Sequence, residues 1–123
     1  MKELNEREQL ARYLFSKNHY RPSDRTVKHS AFIPPPDKKL SVFQITDLPE
    51  IDIWSMGENL RDRLLVGRAD ILAGYVYKAD LSIDLDNNPP KHANIIGWPD
   101  EPSAVKLRAL ELAEQATLHL KQI

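Results

Sequence analysis

The sequence contains no cysteine and has four glycines among its 123 residues. A disulfide, a thiolate metal site and a thiol nucleophile are therefore excluded, and no glycine-rich phosphate loop is present. No apolar run approaches the roughly 18 residues that a membrane span requires. The charged start, MKELNEREQLARYLF, lacks the apolar segment of a secretory signal. These absences predict a soluble, cytoplasmic protein without a cofactor.

The charge of the chain is almost balanced, with 17 basic and 18 acidic residues and a net charge of -1. Bulk attraction to nucleic acid or to an anionic membrane is therefore not expected. A hydrophobic content of 41% and a charged content of 28% are typical of an ordinary globular protein. Because the length is that of one domain, residues 1–123 are expected to form a single α+β domain.

The first half of the chain alternates between helix and strand signals. Residues 4–17 carry a helix-cap pattern and are predicted to be a helix. Residues 27–33 and 40–46 are rich in strand formers and are bounded by turn residues, so both are predicted strands. A second helix is expected to begin at the Asp-Leu-Pro-Glu stretch of residues 47–50 and to end at Gly67.

The second half begins with a regular alternation, in which apolar residues occupy every odd position from Ile71 to Leu85. This pattern predicts one long strand that bends near Gly74. Residues 92–98 follow as a short strand between two proline turns, and a helix of about five turns is expected to end near Leu120. The predicted fold is α+β in the order α-β-β-α-β-β-α, with about four mainly antiparallel strands and the helices on one face.

The stretch PPKHANIIGWP contains the polar residues that are the best candidates for binding or catalysis. Alternation along the strand places His92 and Asn94 on one face, with Lys91 at its start. Such a pair can orient a water, bind a phosphate oxygen or pair with a carboxylate. The alternative is that both side chains satisfy backbone groups of the turn. Lys91, His92 and Asn94 are therefore candidate residues for binding a ligand or a partner.

Other candidates depend on tertiary proximity. His29 is expected to approach His92 if their strands are neighbours, and an acid from the row Asp80, Asp84 and Asp86 would then complete an acid–base or metal constellation. No metal-ligand spacing supports a metal site. Arg68 is a candidate for holding an anion, although a salt bridge with Asp70 is the simpler expectation. Ser41 lacks the G-x-S-x-G context and is predicted to be a poor nucleophile.

Four blocks of the sequence occur together: AFIPPPDKKLSVFQI, the IW-x-x-G that ends at Gly57, GRADI and PPKHANIIGWP. With these blocks in this order, the chain resembles a family of short bacterial proteins without an established activity, from about residue 20 to residue 118. The resemblance implies a bacterial origin and a small protein that acts as a single domain. It assigns no catalytic residue.

The sequence favours a bacterial cytoplasmic module that binds or regulates a protein partner or associates with itself. Membrane binding and nucleic-acid binding are not expected. One alternative is a small hydrolase or nuclease-like enzyme that uses His29 and His92 with a nearby aspartate. Another is a sensor of a small ligand or nucleotide that uses Arg68 and the face of His92 and Asn94.

Overall fold

The structure, a computed structural model, describes residues 4–121. It contains eight strands, three α-helices and two short 3-10 helices, the latter at Lys17–His19 and His29–Phe32. The strands are β1 (Gln9–Leu14), β2 (Tyr20–Arg21), β3 (Thr26–Val27), β4 (Leu40–Gln44), β5 (Gly67–Leu72), β6 (Ser82–Leu85), β7 (His92–Ile96) and β8 (Thr117–Leu120). The α-helices are α1 (Glu50–Glu58), α2 (Ala73–Lys78) and α3 (Pro102–Gln115).

Six of the strands form one sheet in the order β6-β7-β4-β1-β5-β8, and every neighbouring pair is antiparallel. The other two strands, β2 and β3, pair as a small separate hairpin. The structure is therefore α+β, but the prediction of about four strands in the order α-β-β-α-β-β-α is wrong.

Apolar side chains pack on both faces of the six-stranded sheet. On one face, α2, α3 and the 3-10 helix at residues 29–32 cover Leu10, Val42 and Ile95. On the opposite face, α1 and Leu65 cover Tyr13 and Phe43. The prediction that the helices lie on one face is consequently wrong. The second, smaller core includes Phe43, whose ring borders the imidazole of His92.

The predicted helix at residues 4–17 is instead β1, a central strand of the sheet. Both faces of β1 are covered, so Leu10 and Ala11 are completely buried although they point in opposite directions. A strand that is buried on both faces has an apolar run without clear alternation, which periodicity cannot distinguish from a helix.

The predicted long strand at residues 71–85 is divided into β5, α2 and β6. The odd positions are apolar throughout, but α2 buries Ala73 and Val76, which are three residues apart and share one face of a helix. Asp80, with a φ of 61°, lies in the turn between α2 and β6. Leu81 is buried as the alternation predicts, and Asp80 is exposed.

Three further boundaries differ from the predictions. The strand expected at 27–33 consists of the two-residue β3 followed by a 3-10 helix, and α1 ends at Glu58 rather than at Gly67. The last helix ends at Gln115, and residues 117–120 form the edge strand β8. The strands predicted at 40–46 and 92–98 are present as β4 and β7. None of the helices within residues 4–121 is long and apolar enough to cross a membrane.

Candidate functional site

The strands β4 and β7 place a serine and a histidine beside each other on the α1 face of the sheet. In the register of this pair, Ser41 lies opposite Asn94 and Phe43 lies opposite His92. Opposite residues of an antiparallel pair point to the same face, so all four side chains share that face. The alternate residues Leu40 and Val42 point into the core under α3.

The side chains of Ser41, His92 and Asp86 form a continuous hydrogen-bonded chain. Ser41 Oγ lies 2.6 Å from His92 Nε2, and His92 Nδ1 lies 2.6 Å from Asp86 Oδ1. If Asp86 is ionised, Nδ1 donates to the carboxylate and Nε2 of neutral His92 accepts from the serine hydroxyl. This is the arrangement by which a histidine activates a serine nucleophile, and it is recognised by geometry rather than by sequence order.

The proline-rich loop between β6 and β7 holds Asp86 next to Nδ1 of His92. Asn94 Nδ2 donates to Asp86 Oδ2 at 3.1 Å, and the backbone N–H of Asn88 donates to Asp86 Oδ1 at 3.2 Å. The loop closes through His92 N–H, which donates to the Pro89 carbonyl at 3.0 Å. Each carboxylate oxygen thus has a fixed donor, and the hydrogen bonds lower the pKa of Asp86, with that from His92 the strongest cause.

The imidazole of His92 is also held by packing. Its ring meets the ring of Phe43 in an edge-to-face contact, with centroids 5.2 Å apart and an interplanar angle of 63°. Phe43 itself packs against Tyr13, with centroids 5.6 Å apart. The histidine side chain is 13% exposed. It is therefore oriented by the small core and is still open to solvent on one side.

A cavity of about 240 Å³ opens beside Ser41 and His92. Its remaining lining residues are Arg12, Tyr13, Phe15, Phe43, Leu60, Arg61, Asn88 and Pro89. The volume is below the range of roughly 300–1,000 Å³ that is common for pockets of drug-sized ligands. The hydroxyl and the imidazole thus face a space that suits a small molecule with an apolar part.

Arg12 connects the serine to the rest of the sheet. The ladder between β1 and β4 comprises two residue pairs, Leu10 with Gln44 and Ala11 with Phe43. Beyond it, Arg12 Nη1 donates to the Ser41 carbonyl at 3.0 Å, and Arg12 Nε donates to the Ala31 carbonyl at 2.9 Å. A charged guanidinium therefore fixes the backbone that carries Ser41.

Of the residues predicted to form a site, His92 and Asn94 are brought together, and both contact Asp86. Lys91 is exposed in the preceding loop, where its carbonyl accepts from Gln44 N–H. His29 begins the 3-10 helix on the α3 side of the sheet and lines a different cavity with Arg21 and Leu110. The structure thus does not bring His29 to His92.

Arg68 lies on β5, three strand spacings or about 14 Å from β7. Its Nη2 contacts Glu50 at 2.8 Å, its Nε contacts Asp70 at 3.1 Å, and its guanidinium lies 4.7 Å from the ring centre of Trp54. The simpler expectation of a salt bridge with Asp70 thus agrees with the structure. Arg68 and His92 do not line a common cavity among those found in residues 4–121.

Two members of this hydrogen-bonded chain have only weak signals in the sequence. Ser41 lacks the G-x-S-x-G context, and Asp86 is one of three aspartates in the row Asp80, Asp84 and Asp86. Ser41 is 51 residues from His92 in sequence, whereas Asp86 is 6 residues away. A useful signal for Asp86 was its position at the start of the proline turn that leads directly to His92.

Comparison with known proteins finds no matching family model, curated protein or solved structure. The chemical interpretation therefore depends on the geometry of the site. Within residues 4–121, no group of three or more His, Asp or Glu side chains is arranged to hold a metal ion. The arrangement does provide a serine hydroxyl, a base in contact with it, and a carboxylate that orients the base.

Proposed function

We propose that this protein is a small hydrolase that cleaves acyl esters through a covalent intermediate on Ser41. The observation that carries the proposal is the chain of two 2.6 Å contacts from Ser41 Oγ through His92 to Asp86. In this proposal Ser41 is the nucleophile, His92 is the general base and then the general acid, and Asp86 orients the imidazole. This proposal changes the alternative in which a small hydrolase or nuclease-like enzyme uses His29 and His92, because Ser41 replaces His29 as the partner of His92.

The reaction would proceed in two balanced steps. Ser41 Oγ attacks the ester carbonyl while its proton moves to His92 Nε2, and the resulting tetrahedral centre expels the alcohol, which takes that proton. Water then attacks the acyl-serine, again losing its proton to His92, and Ser41 leaves with the proton as the carboxylic acid is released. Asp86 stays ionised throughout and stabilises the imidazolium that forms in each step.

One neutral group that lines the cavity is a candidate donor to the developing oxyanion. Asn88 carries a side-chain amide and lies at the cavity that Ser41 and His92 share. Donors at this position are a large source of rate acceleration in acyl transfer. The small volume of the cavity favours a short acyl chain or a small alcohol over an extended polymer.

The proposal is tested with a neutral alkyl fluorophosphonate, which reacts with activated serines. We expect one adduct by intact mass, mapped to Ser41 by peptide sequencing. Labelling should disappear in Ser41→Ala and should fall by about 10²-fold or more in His92→Ala. The matched control is Ser82→Ala, an exposed serine on β6 of the same sheet, which should label like the wild type.

Labelling of several serines at similar rates, or labelling of Ser41 that does not depend on His92, would show that the polar chain only fastens the β6–β7 loop. Thermal unfolding of each variant separates a lost nucleophile from a lost fold. A folded His92→Ala protein that reacts as fast as the wild type would end the hydrolase proposal.

A second function, the binding of a protein partner or self-association, stays a prediction and has one supporting observation. Leu107 and Leu110 are 55% and 43% exposed on α3 and are three residues apart, so they share an outward face. Contiguous exposed apolar patches mark protein–protein contact surfaces. Sedimentation equilibrium of the wild type and of Leu107→Lys tests self-association. A monomer at all concentrations would exclude it.

A further inference from the structure

The cavity beside Ser41 is lined by two cationic side chains and by no acidic one in the part of the chain that the structure describes. Arg12 and Arg61 provide the positive charge. Within residues 4–121, neither of them has a carboxylate within salt-bridge distance, whereas Arg68 and Arg108 are both paired with acids. Positive charge without a counter-ion is therefore concentrated where a substrate would enter.

Neither arginine is neutralised by the groups that it contacts. Arg12 donates to two uncharged carbonyl groups, and Arg61 lies over the ring of Phe15, with its guanidinium carbon 5.4 Å from the ring centre. Burial, followed by repulsion from Arg61, lowers the pKa of Arg12 to about 10. Arg12 still carries its charge at neutral pH. Both arginines line the same cavity, so a bound anion there is attracted by two positive charges.

The nearest acid of the site does not cancel this charge. Asp86 lies behind the imidazole, and its oxygens accept from His92, Asn94 and the Asn88 backbone. Asp86 is absent from the cavity lining. A ligand in the cavity therefore meets the guanidinium groups before it meets the carboxylate.

From this arrangement we infer that the substrate of the Ser41 site carries a negative charge of its own, a carboxylate or a phosphate group, which is held by Arg61 and the field of Arg12. The inference rests on the proposed hydrolase function and adds the substrate class to it. Arginine suits this role because its planar fork matches both carboxylate and phosphate oxygens. The apolar ring edges of Phe15 and Phe43 would then cover the uncharged part of the same ester.

The test compares esters that differ in charge. The substrates are 4-nitrophenyl valerate, the 4-nitrophenyl monoester of glutaric acid, and 3-carboxy-4-nitrophenyl valerate. The first is neutral, the second carries a carboxylate on the acyl side, and the third carries it on the leaving group. We expect kcat/KM for at least one anionic ester to exceed that for the neutral ester by about tenfold at low salt, and this preference to shrink as salt is added.

The variant Arg61→Gln should reduce the preference for the anionic ester by at least about fivefold. The matched control is Arg63→Gln, on the same segment, because Arg63 is exposed and does not line the cavity. Its preference should stay within about twofold of the wild type. Arg12 is not used for this test because its hydrogen bonds hold the backbone of Ser41.

Labelling with the neutral fluorophosphonate distinguishes failure of the inference about substrate charge from failure of the hydrolase proposal. If Ser41 is labelled in a His92-dependent manner but neither anionic ester is preferred, the inference about substrate charge is overturned and the hydrolase proposal stands. An equal loss of preference in Arg61→Gln and Arg63→Gln also overturns the inference. If Ser41 is not labelled, the hydrolase proposal fails and the inference fails with it.

Discussion

Ser41 and His92 are diagonal neighbours across the β4–β7 pair, and their side-chain atoms Oγ and Nε2 lie 2.6 Å apart. The residue directly opposite His92 is Phe43, whose ring meets the imidazole at its edge. The imidazole therefore reaches along β4 toward Ser41 while Phe43 limits its rotation. Diagonal pairs in antiparallel sheets are within reach of long side chains, so the sheet itself sets the distance between hydroxyl and base.

The first prediction concerns Asp86→Asn. The asparagine keeps the shape of the side chain but removes the negative charge that selects the Nδ1–H tautomer of His92. We expect labelling of Ser41 by the neutral fluorophosphonate to slow by roughly 10²- to 10⁴-fold, with little change in the fold. The measurement is the second-order labelling rate, with circular dichroism as the control. An unchanged rate would show that the carboxylate does not orient the base.

The polar chain illustrates how much of the site the sequence could predict. His92 and Asn94 are predictable because they alternate on a strand between two proline turns. Such a local pattern can be recognised without knowledge of the fold. Their pairing with Ser41 could not be predicted, because it depends on β4 and β7 being neighbours in the sheet. His29 does not approach His92, because residues 29–32 form a 3-10 helix on the other side of the sheet.

For the fold, local signals worked where one pattern dominated. Residues 40–44 and 92–96 are strands as predicted, because they are rich in strand formers or lie between two proline turns. Local signals gave the wrong element at β1, where burial on both faces removes the alternation. They also gave the wrong element at residues 73–78, where the same apolar residues are compatible with a short helix. At both places tertiary packing decides between two structures that the local sequence permits.

The second prediction is a pH dependence that involves the same carboxylate. The folded-state pKa of Asp86 lies below its ordinary value of 3.8 because His92, Asn88 and Asn94 donate to it. Ionised Asp86 therefore stabilises the fold above about pH 4, and this contribution is lost as the pH falls through the folded-state pKa. We expect the difference in free energy of unfolding between wild type and Asp86→Asn to shrink as the pH falls from 5 toward 3.

Urea unfolding at pH 3, 5 and 7 provides the measurement. Because the hydrogen bond from His92 is the largest cause of the lowered pKa, the pH-dependent part of the difference should be smaller when both proteins also carry His92→Ala. A difference that grows as the pH falls from 5 to 3 would have the wrong sign and would refute this explanation.

The third prediction tests the packing between α1 and the sheet at the border of the cavity. A Cβ atom on Gly57 would lie 2.5 Å and 2.6 Å from two ring atoms of Tyr13, and 2.9 Å from Leu65. Gly57→Ala should therefore destabilise the protein by about 1–3 kcal/mol through overpacking, although alanine is the better helix former. Urea denaturation measures the change. A stabilised variant would show that Tyr13 can move away freely.

The last prediction concerns the buried cation on β5. The Arg68 side chain is 2% exposed, while its partners Asp70 and Glu50 are 16% and 65% exposed. Arg68→Met should reduce the free energy of unfolding by about 3–5 kcal/mol, because it leaves the largely buried Asp70 without its main partner. Glu50→Gln is the control, since loss of an exposed partner should cost less than about 1 kcal/mol.

A double variant separates the loss of charge pairing from the loss of packing at this position. In Arg68→Met with Asp70→Asn, no unpaired buried charge remains, so part of the lost stability should return. Equilibrium unfolding in urea at pH 7 measures the free energy of unfolding of the wild type, Arg68→Met, Glu50→Gln and the double variant. If the double variant is as unstable as Arg68→Met alone, the cost comes instead from lost packing of the guanidinium on Trp54, which lies 4.7 Å from it. In that case the electrostatic explanation for the cost of removing Arg68 is wrong.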